Sequence, residues 1–506
     1  VARIFPQAFS NDSRRRVPSP GGRGQILDPI DDKHRIQDCL EIAFDLVRDF
    51  IAAEDRQIPY LEPGELRARL DLSLRQQPRP LREAVENLSR VLAATPSSAS
   101  HRFFNQVYGG RDAVATMAEL VSVVANVQMH TYKVAGPHVL IEQEVLERMS
   151  RRVGYEDGEG MFTPGGSLAN MVAMIVARNE AVAGGRDQGL SAAGRLTVYS
   201  SVEGHYSIGK NMGMLGLGRH NLRQVPADED GRMDVAALAH TIAADVAAGA
   251  RPVMINATAG TTVLGAFDPL VEIAAVARRH GVWLHVDGAL GGSVLLSDAH
   301  KHLAAGTELS DSFTWSAHKM MGMPLLCAAV LVKRRGLLAE SFHNQAAEYL
   351  FQVDTDELNP GTRSMQCGRR NDALKLWCAW QVYGDQGYDV RIRRLFELTR
   401  KAVELVEEDP DLILSRRPQS INVCFEVAGK SSAEICERLH RDGREMVGHG
   451  VVAGRRVIRL VCVNPDITED DLRTFFREVK AEAAELGPGE NAVAAQAVPV
   501  VLESPR

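Results

Sequence analysis

Between about residues 160 and 335, short apolar runs recur, separated by longer amphipathic stretches. The runs are Leu196 to Tyr199, Val253 to Ala257, Val282 to Val286, Phe313 to Trp315 and Ala328 to Val332. Strand-length apolar runs alternating with helix-length segments predict a mostly parallel sheet with helices on both faces. The predicted class is α/β. Reactive groups in such a sheet collect at the carboxyl ends of strands. Asp287, the stretch Thr258 to Thr262, and Lys319 each follow one of these runs closely.

The pattern changes on either side. Residues 1–30 are rich in Pro, Gly, Ser and Arg with almost no apolar period, as expected of a mobile tail. From Asp31 the pattern turns helical, with Ile36, Leu40, Ala43, Phe44 and Val47 on one face. A Pro-rich break at Pro59 to Pro63 precedes short helices, and two more apolar-periodic segments, split by Gly136-Pro137, lie within 112–150. After about residue 390 the order becomes strand (Ile421 to Val427), helix (Ala433 to Arg441), strand (Val457 to Val463) and a long charged helix (Asp470 to Leu486). A chain of 506 residues exceeds what one core usually holds. The expected organisation is a tail (1–30), a helical N-terminal domain (31–115), a large domain (116–390), a small αβ domain (391–487) and a second tail (488–506).

Composition narrows the setting. Apolar residues at 45% and charged residues at 24% are those of an ordinary globular protein, and a net charge of -7 offers no footprint for nucleic acid or an anionic membrane. The seven cysteines are odd in number, scattered, and form no Cys-x-x-Cys pair, which fits a reduced cytoplasmic protein. No apolar run is long enough to span a bilayer, and Arg14-Arg15-Arg16 precedes no hydrophobic region, so no signal peptide is expected. His280, His285, His300 and His302 lack the spacing of a helical ligand pair, so no metal is expected.

The chemistry concentrates in Ser316-Ala317-His318-Lys319-Met320-Met321-Gly322, downstream of His285-Val286-Asp287-Gly288-Ala289. A lone lysine is normally a solvated surface group. Here it follows a short apolar strand, where desolvation lowers an amine pKa, and an acid, Asp287, directly follows the preceding apolar run. An amine that can be uncharged and a carboxylate that keeps a pyridine nitrogen protonated are what pyridoxal phosphate requires. Thr163-Pro164-Gly165-Gly166-Ser167-Leu168-Ala169-Asn170 opens an apolar-periodic helix with two glycines and a serine read as its cap. Such a turn can hold a phosphate. His205, in Ser201-Val202-Glu203-Gly204-His205-Tyr206-Ser207, follows a strand and could stack on a flat ring. The glycines of Gly213 to Gly218 follow no strand, which argues against a dinucleotide fingerprint.

These motifs, together with Gln366-Cys367-Gly368-Arg369-Arg370, closely resemble group II pyridoxal-phosphate decarboxylases, in the right order from about His101 to Pro465. Within that group the chain is most similar to the glutamate and cysteine sulfinic acid decarboxylase branch. Gln366 to Gly387 looks most like the cysteine sulfinate members. The resemblance implies a fold-type I (aspartate aminotransferase-like) enzyme in which Lys319 carries the cofactor, Asp287 pairs with its pyridine nitrogen, His205 stacks on the ring and Ala289 packs on the other face. Gly166, Ser167, Ser316 and His318 would contact the phosphate, although the family more often has Asn where Ser316 stands, and Thr258 joins the cofactor set. Arg459 would grip the substrate α-carboxylate.

Gln106, Tyr108, Gln128 and His130 match positions lining the distal substrate pocket. His130 and Lys133 replace an aromatic and an acidic residue of the family, adding potential positive charge. The expected reaction is therefore decarboxylation of aspartate, cysteine sulfinate or cysteate to the amine and carbon dioxide. Glutamate or a specialised biosynthetic amino acid is an alternative substrate, and transamination or decarboxylation-coupled oxidation an alternative chemistry. Leu358 stands where glutamate decarboxylases carry a loop tyrosine, and cysteine sulfinate members share the leucine. The family pattern implies a homodimer with active sites at the interface, residues 352–364 (Asp354, Asp356, Pro360 and Gly361 among them) reaching across as a mobile lid.

Overall fold

The computed structural model describes residues 33–56, 60–343 and 358–487. The larger sheet contains β1 (Glu159–Thr163), β2 (Leu196–Ser201), β3 (Leu222–Val225), β4 (Arg251–Thr258), β5 (Trp283–Asp287), β6 (Ser312–Ser316) and β7 (Ala328–Val332). Their order across the sheet is β1-β7-β6-β5-β4-β2-β3. β3, β2, β4, β5 and β6 run parallel, whereas β7 is antiparallel to both of its neighbours.

Successive strand residues point to opposite faces, and here both faces are covered. In β7, Ala329 and Leu331 enter one core with Phe313 and Trp315; Val330 and Val332 enter another with Val172, Ala173 and Val176 of the helix Gly166–Ala181. A strand buried on both sides needs no polar alternation, and each of the five apolar runs of the sequence lies on a strand; β6, Ser312-Phe313-Thr314-Trp315-Ser316, is fully buried although its residues alternate polar and apolar. β5 extends one residue beyond the expected Val286, to Asp287. The pattern did not announce β1, which opens with Glu159-Gly160, nor β3, an edge strand whose Leu222 and Arg223 are only half-buried.

A second, antiparallel sheet holds β8 (Leu412–Leu414), β9 (Asn422–Val427), β10 (Gly448–Val452) and β11 (Arg455–Val461) in the order β10-β11-β9-β8. The helices Ser432–Arg441 and Glu469–Glu485 share its core, in which Phe425, Ile458, Phe475 and Phe476 meet. Thr468 and Asp471 start the second of these helices with a reciprocal capping box.

One helix serves both cores. Ala373–Glu407 is kinked at Gly384 (φ 58°, ψ -171°), a left-handed φ that glycine tolerates. Its Leu376, Tyr388 and Ile392 join the main core, and its Leu398, Ala402 and Val406 join that of the small sheet. The domain boundaries expected near residues 390 and 115 therefore fall inside helices, this one and Ala113–Ala125. The expected tails lie outside the described residues.

Lys33–Ala52, Pro63–Arg69 and Leu81–Ala93 make up the N-terminal helices. The apolar face read from the sequence faces outward in the single chain: Ile36, Phe44 and Val47 are 54%, 51% and 40% exposed.

Candidate functional site

Three strands bring the site together. Thr258 on β4 lies opposite Asp287 on β5, and Asp287 lies opposite Thr314 on β6. Ser316 then ends β6, and a tight turn carries the chain to Lys319, whose N–H donates to Ser316 O at 3.1 Å. Gly322 closes this turn at φ +74°, and a Cβ there would strike the guanidinium of Arg391. Arg391 Nε donates to Met320 O at 2.8 Å, fixing the turn from behind. Part of Lys319 remains accessible, yet the protein around its amine desolvates it and pulls its pKa below the ordinary lysine value. Asp287 opposes that shift and Arg459 adds to it.

Asp287 Oδ2 accepts from Asn170 Nδ2 at 2.7 Å and Oδ1 from the backbone N–H of Ala289 at 3.1 Å. Asn170 Nδ2 also lies 3.2 Å from Ser207 Oγ, which is 2.8 Å from His205 Nδ1. The N–H of Ser207 donates to the same ring nitrogen at 3.3 Å. An accepting Nδ1 leaves the proton of neutral His205 on Nε2. Burial lowers the pKa of His205, opposed by Asp287 and assisted by Lys319.

Gly166, Ala289 and Ser316 border one small space, because a Cβ on Gly166 would lie 3.3 Å from both Ala289 Cβ and Ser316 Oγ. The helix beginning there is not serine-capped as expected. Its cap is Gly165, at φ +92°, with no side-chain hydrogen bond, and Ser167 lies inside the first turn. The first backbone N–H groups are thus left without a side-chain cap, and an anion can take that place. Beside them, the Ser316 hydroxyl is buried without a hydrogen-bond partner, as is that of Thr258 on β4 opposite Asp287. His318 is buried, with Nδ1 2.9 Å from Cys327 O, and burial pushes its pKa down to about 4, so it is a neutral imidazole. Asp268, which the sequence reading missed, accepts from the N–H groups of Thr258 and Met233 at 2.7 Å and fixes the loop after β4.

Arg459 enters from β11. Its Nη1 donates to Thr262 O at 2.9 Å and its Nη2 to Asn105 O at 2.6 Å, while Nε is buried without a partner. Gln106, exposed, and Tyr108, half-buried, follow Asn105 directly. Gln128 and His130 belong to a different cluster. Gln128 Nε2 donates to Cys367 O at 3.3 Å, Met129 N to Arg369 O at 3.0 Å, and Gly361 N to His130 O at 2.9 Å. A Cβ on Gly361 would lie 2.3 Å from the His130 ring. The positive charge expected at His130 is not favoured here: burial, and then Arg369, lowers its pKa. Lys133 is exposed. Leu358 and residues 359–364 lie beside this cluster, whereas Asp354 and Asp356 fall outside the described residues.

A family model described as the pyridoxal-dependent decarboxylase conserved domain matches residues 63–428. The chain belongs to the pyridoxal-dependent decarboxylase family. Mouse cysteine sulfinic acid decarboxylase is 37% identical over 477 residues, covering 90% of this chain and 96% of the mouse protein. Acidic amino acid decarboxylase GADL1 of Bos taurus is 34% identical over 462 residues, covering 87% of this chain and 89% of that protein. The crystal structure of mouse CSAD matches at a TM-score of 0.86 and 35% identity, over 90% of this chain and 100% of the other. That of Oryza sativa TDC with PLP and tryptamine matches at 0.81 and 26% identity, over 91% and 99%.

As a decarboxylase of this family, the chain has the fold-type I architecture and uses pyridoxal phosphate. Its residues fit that cofactor: a desolvated amine, a fixed carboxylate with the unpartnered Thr258 hydroxyl on the neighbouring strand, and an uncapped helix start beside the buried, unpartnered Ser316 hydroxyl. Among the described residues, no group of three or more His, Cys, Asp or Glu is placed to hold a metal ion. No helix among them is long and apolar enough to cross a membrane.

Proposed function

We propose that this decarboxylase acts on a short acidic L-amino acid, with aspartate, cysteine sulfinate and cysteate as the candidates, giving the amine and carbon dioxide. The observation that carries the reading is the set of fixed groups around one site: Lys319 in its turn after β6, Asp287 held by Asn170 and Ala289 N–H, and Arg459 fastened to Thr262 O and Asn105 O with Nε left open. Relatives named for cysteine sulfinic acid and acidic amino acids support the substrate class.

Bound at this site, pyridoxal phosphate supplies an electron sink for the carbanion left when carbon dioxide departs. Lys319 Nζ would hold the cofactor's aldehyde, Asp287 would pair with the ring nitrogen, and His205 and Ala289 would pack against the ring. Gly166, Ser167, Ser316 and His318 would hold the phosphate, and Thr258, opposite Asp287, would join the cofactor set. Arg459 takes the substrate α-carboxylate, for which its buried Nε is an open donor. With Nδ1 engaged by Ser207, neutral His205 carries its proton on Nε2, which would be available to hold a proton for Cα.

A homodimer completes the reading. Ile36, Phe44 and Val47, with Met117, Val121 and Val124 of the helix Ala113–Ala125, form apolar surface that a second copy would cover. The cluster of Gln128, His130 and Gly361 would then complete the partner's site, while Gln106 and Tyr108 flank Arg459. A reduced cytoplasmic setting accords with seven free cysteines, of which Cys327, Cys424, Cys436 and Cys462 are buried.

The test is a panel of aspartate, cysteine sulfinate, cysteate and glutamate, with carbon dioxide and amine followed together. Equal release of both from a short acidic substrate is expected. Faster turnover of neutral aromatic amino acids would overturn the substrate class, and carbon dioxide without matching amine would overturn simple decarboxylation.

A further inference from the structure

Behind Asp287 lies a buried chain of polar side chains. Trp283 Nε1 donates to Ser312 Oγ at 2.8 Å, and Ser312 Oγ lies 2.8 Å from His285 Nδ1. His285 Nε2 lies 3.1 Å from Asn170 Oδ1, and Asn170 Nδ2 reaches Asp287 Oδ2 and Ser207 Oγ. Asn170, Ser207, His285 and Ser312 are all at most 1% exposed.

Two of its ends are fixed by chemistry, since an indole N–H only donates and a carboxylate only accepts. Because Trp283 donates to Ser312, the hydroxyl proton of Ser312 is free for His285 Nδ1. His285 then carries its proton on Nε2 and donates to Asn170 Oδ1. Both amide protons of Asn170 are left for Asp287 and Ser207, and Ser207 donates onward to His205 Nδ1. Turning the Asn170 amide over would set its oxygen 2.7 Å from a carboxylate oxygen. One polarity therefore runs from Trp283 to Asp287 and His205. Thr314 Oγ1, 3.3 Å from His285 Nε2, can accept a share of the same proton. Burial pushes the pKa of His285 down to about 4, consistent with a neutral ring that relays direction rather than charge.

We propose that Asn170 and His285 are positioning residues that hold Asp287 and His205 in one mutually consistent proton arrangement. The inference rests on the cofactor roles proposed for those two residues. Bonds in such a chain polarise one another, so a break at His285 loosens both ends together.

Three variants test this in the holoenzyme and the reloaded apoprotein: His285→Leu, Asn170→Asp and His285→Gln. Gln can accept from Ser312 and donate to Asn170, preserving the polarity. The readouts are pyridoxal phosphate affinity and the pH dependence of the bound cofactor's visible absorption, with circular dichroism as the fold control. His285→Leu and Asn170→Asp should weaken affinity about 10- to 100-fold, the range for a lost hydrogen bond to a charged group, and should displace the pH profile. His285→Gln should stay within about threefold of wild type. Wild-type affinity and pH profile in Asn170→Asp would overturn the proposal even if His285→Leu does not fold. Asp287→Ala is measured alongside. If it too changes nothing, the role of Asp287 fails; if it changes both readouts while the other variants do not, only this inference fails.

Discussion

Glu142 and Arg369 form an ion pair whose side chains are 5% and 6% exposed, although they lie 227 residues apart in sequence. Both guanidinium Nη atoms donate to the carboxylate, Nη1 at 2.6 Å to Oε2 and Nη2 to Oε1. Arg369 O also accepts from Met129 N, so the pair anchors the backbone beside His130. Glu142→Ala strands the charge. Removing one partner of a buried pair costs about 3–5 kcal/mol, whereas replacing both with apolar groups is often neutral or stabilising. A multi-core chain need not unfold in one step, so the effect is best read locally, by amide hydrogen exchange at Met129 and Gly361. The single variant should accelerate exchange there by about two orders of magnitude or more. Glu142→Leu combined with Arg369→Met should recover most of the protection. Exchange in Glu142→Ala within about threefold of wild type would refute the reasoning. So would a double variant as fast as the single one.

Other expectations concern the site and one distant acid. Lys319→Ala should abolish the visible band of lysine-held pyridoxal and lower turnover by about three orders of magnitude or more, measured by spectrum and carbon dioxide release. In apoprotein only uncharged Lys319 can take up the cofactor, so the loading rate should rise with pH and level off below 10.5. Asp287→Asn, by removing the charge that raises the lysine pKa, should move that plateau lower still. Arg459→Lys should raise KM about tenfold, and Arg459→Met about a hundredfold, as the two-pronged carboxylate contact and then the charge are lost. Burial pushes Glu445 up to about 8, against Arg102 at 3.2 Å. Its ionised form is therefore disfavoured by folding, and stability should fall as pH rises from about 4.5 and level off above about 8. Denaturation of Glu445→Gln across pH 5 to 9 should remove that slope, a difference of up to about 4 kcal/mol.

The sequence made the large sheet legible because β4, β5, β6 and β7 are buried on both faces and are rich in apolar residues, unbroken in β7 and interrupted in the others only by single polar residues such as Asn256, His285 and Thr314. β10 escaped notice because Gly448-His449-Gly450 has neither bulk nor alternation, yet it is held by pairing with β11. Lys319, Asp287 and Gly166 could be named from motif chemistry alone. Their level across the sheet, with Thr258 opposite Asp287, is a property of register that spacing does not carry. Asn170 sat in a quoted motif without a role, because its meaning depends on His285 and Ser207 folding against its two ends. Glu142 had no local signal: a carboxylate on a helix reads as solvated until the guanidinium opposite it is known.

Arg459 belongs to the small sheet, yet its guanidinium is fastened to Thr262 O, in the loop that leaves β4. Asn422 Nδ2 is fastened there too, to Thr262 O and Val263 O at 3.0 Å. Arg459, proposed to grip the α-carboxylate, and the loop after β4, beside the proposed cofactor residue Thr258, are thus joined as one mechanical unit, while the Gln128, His130 and Gly361 cluster is assembled from other segments. If that cluster meets the substrate side chain as proposed, adaptation toward a new substrate can proceed there without retuning the bond-breaking end, which would separate what is recognised from what is done to it.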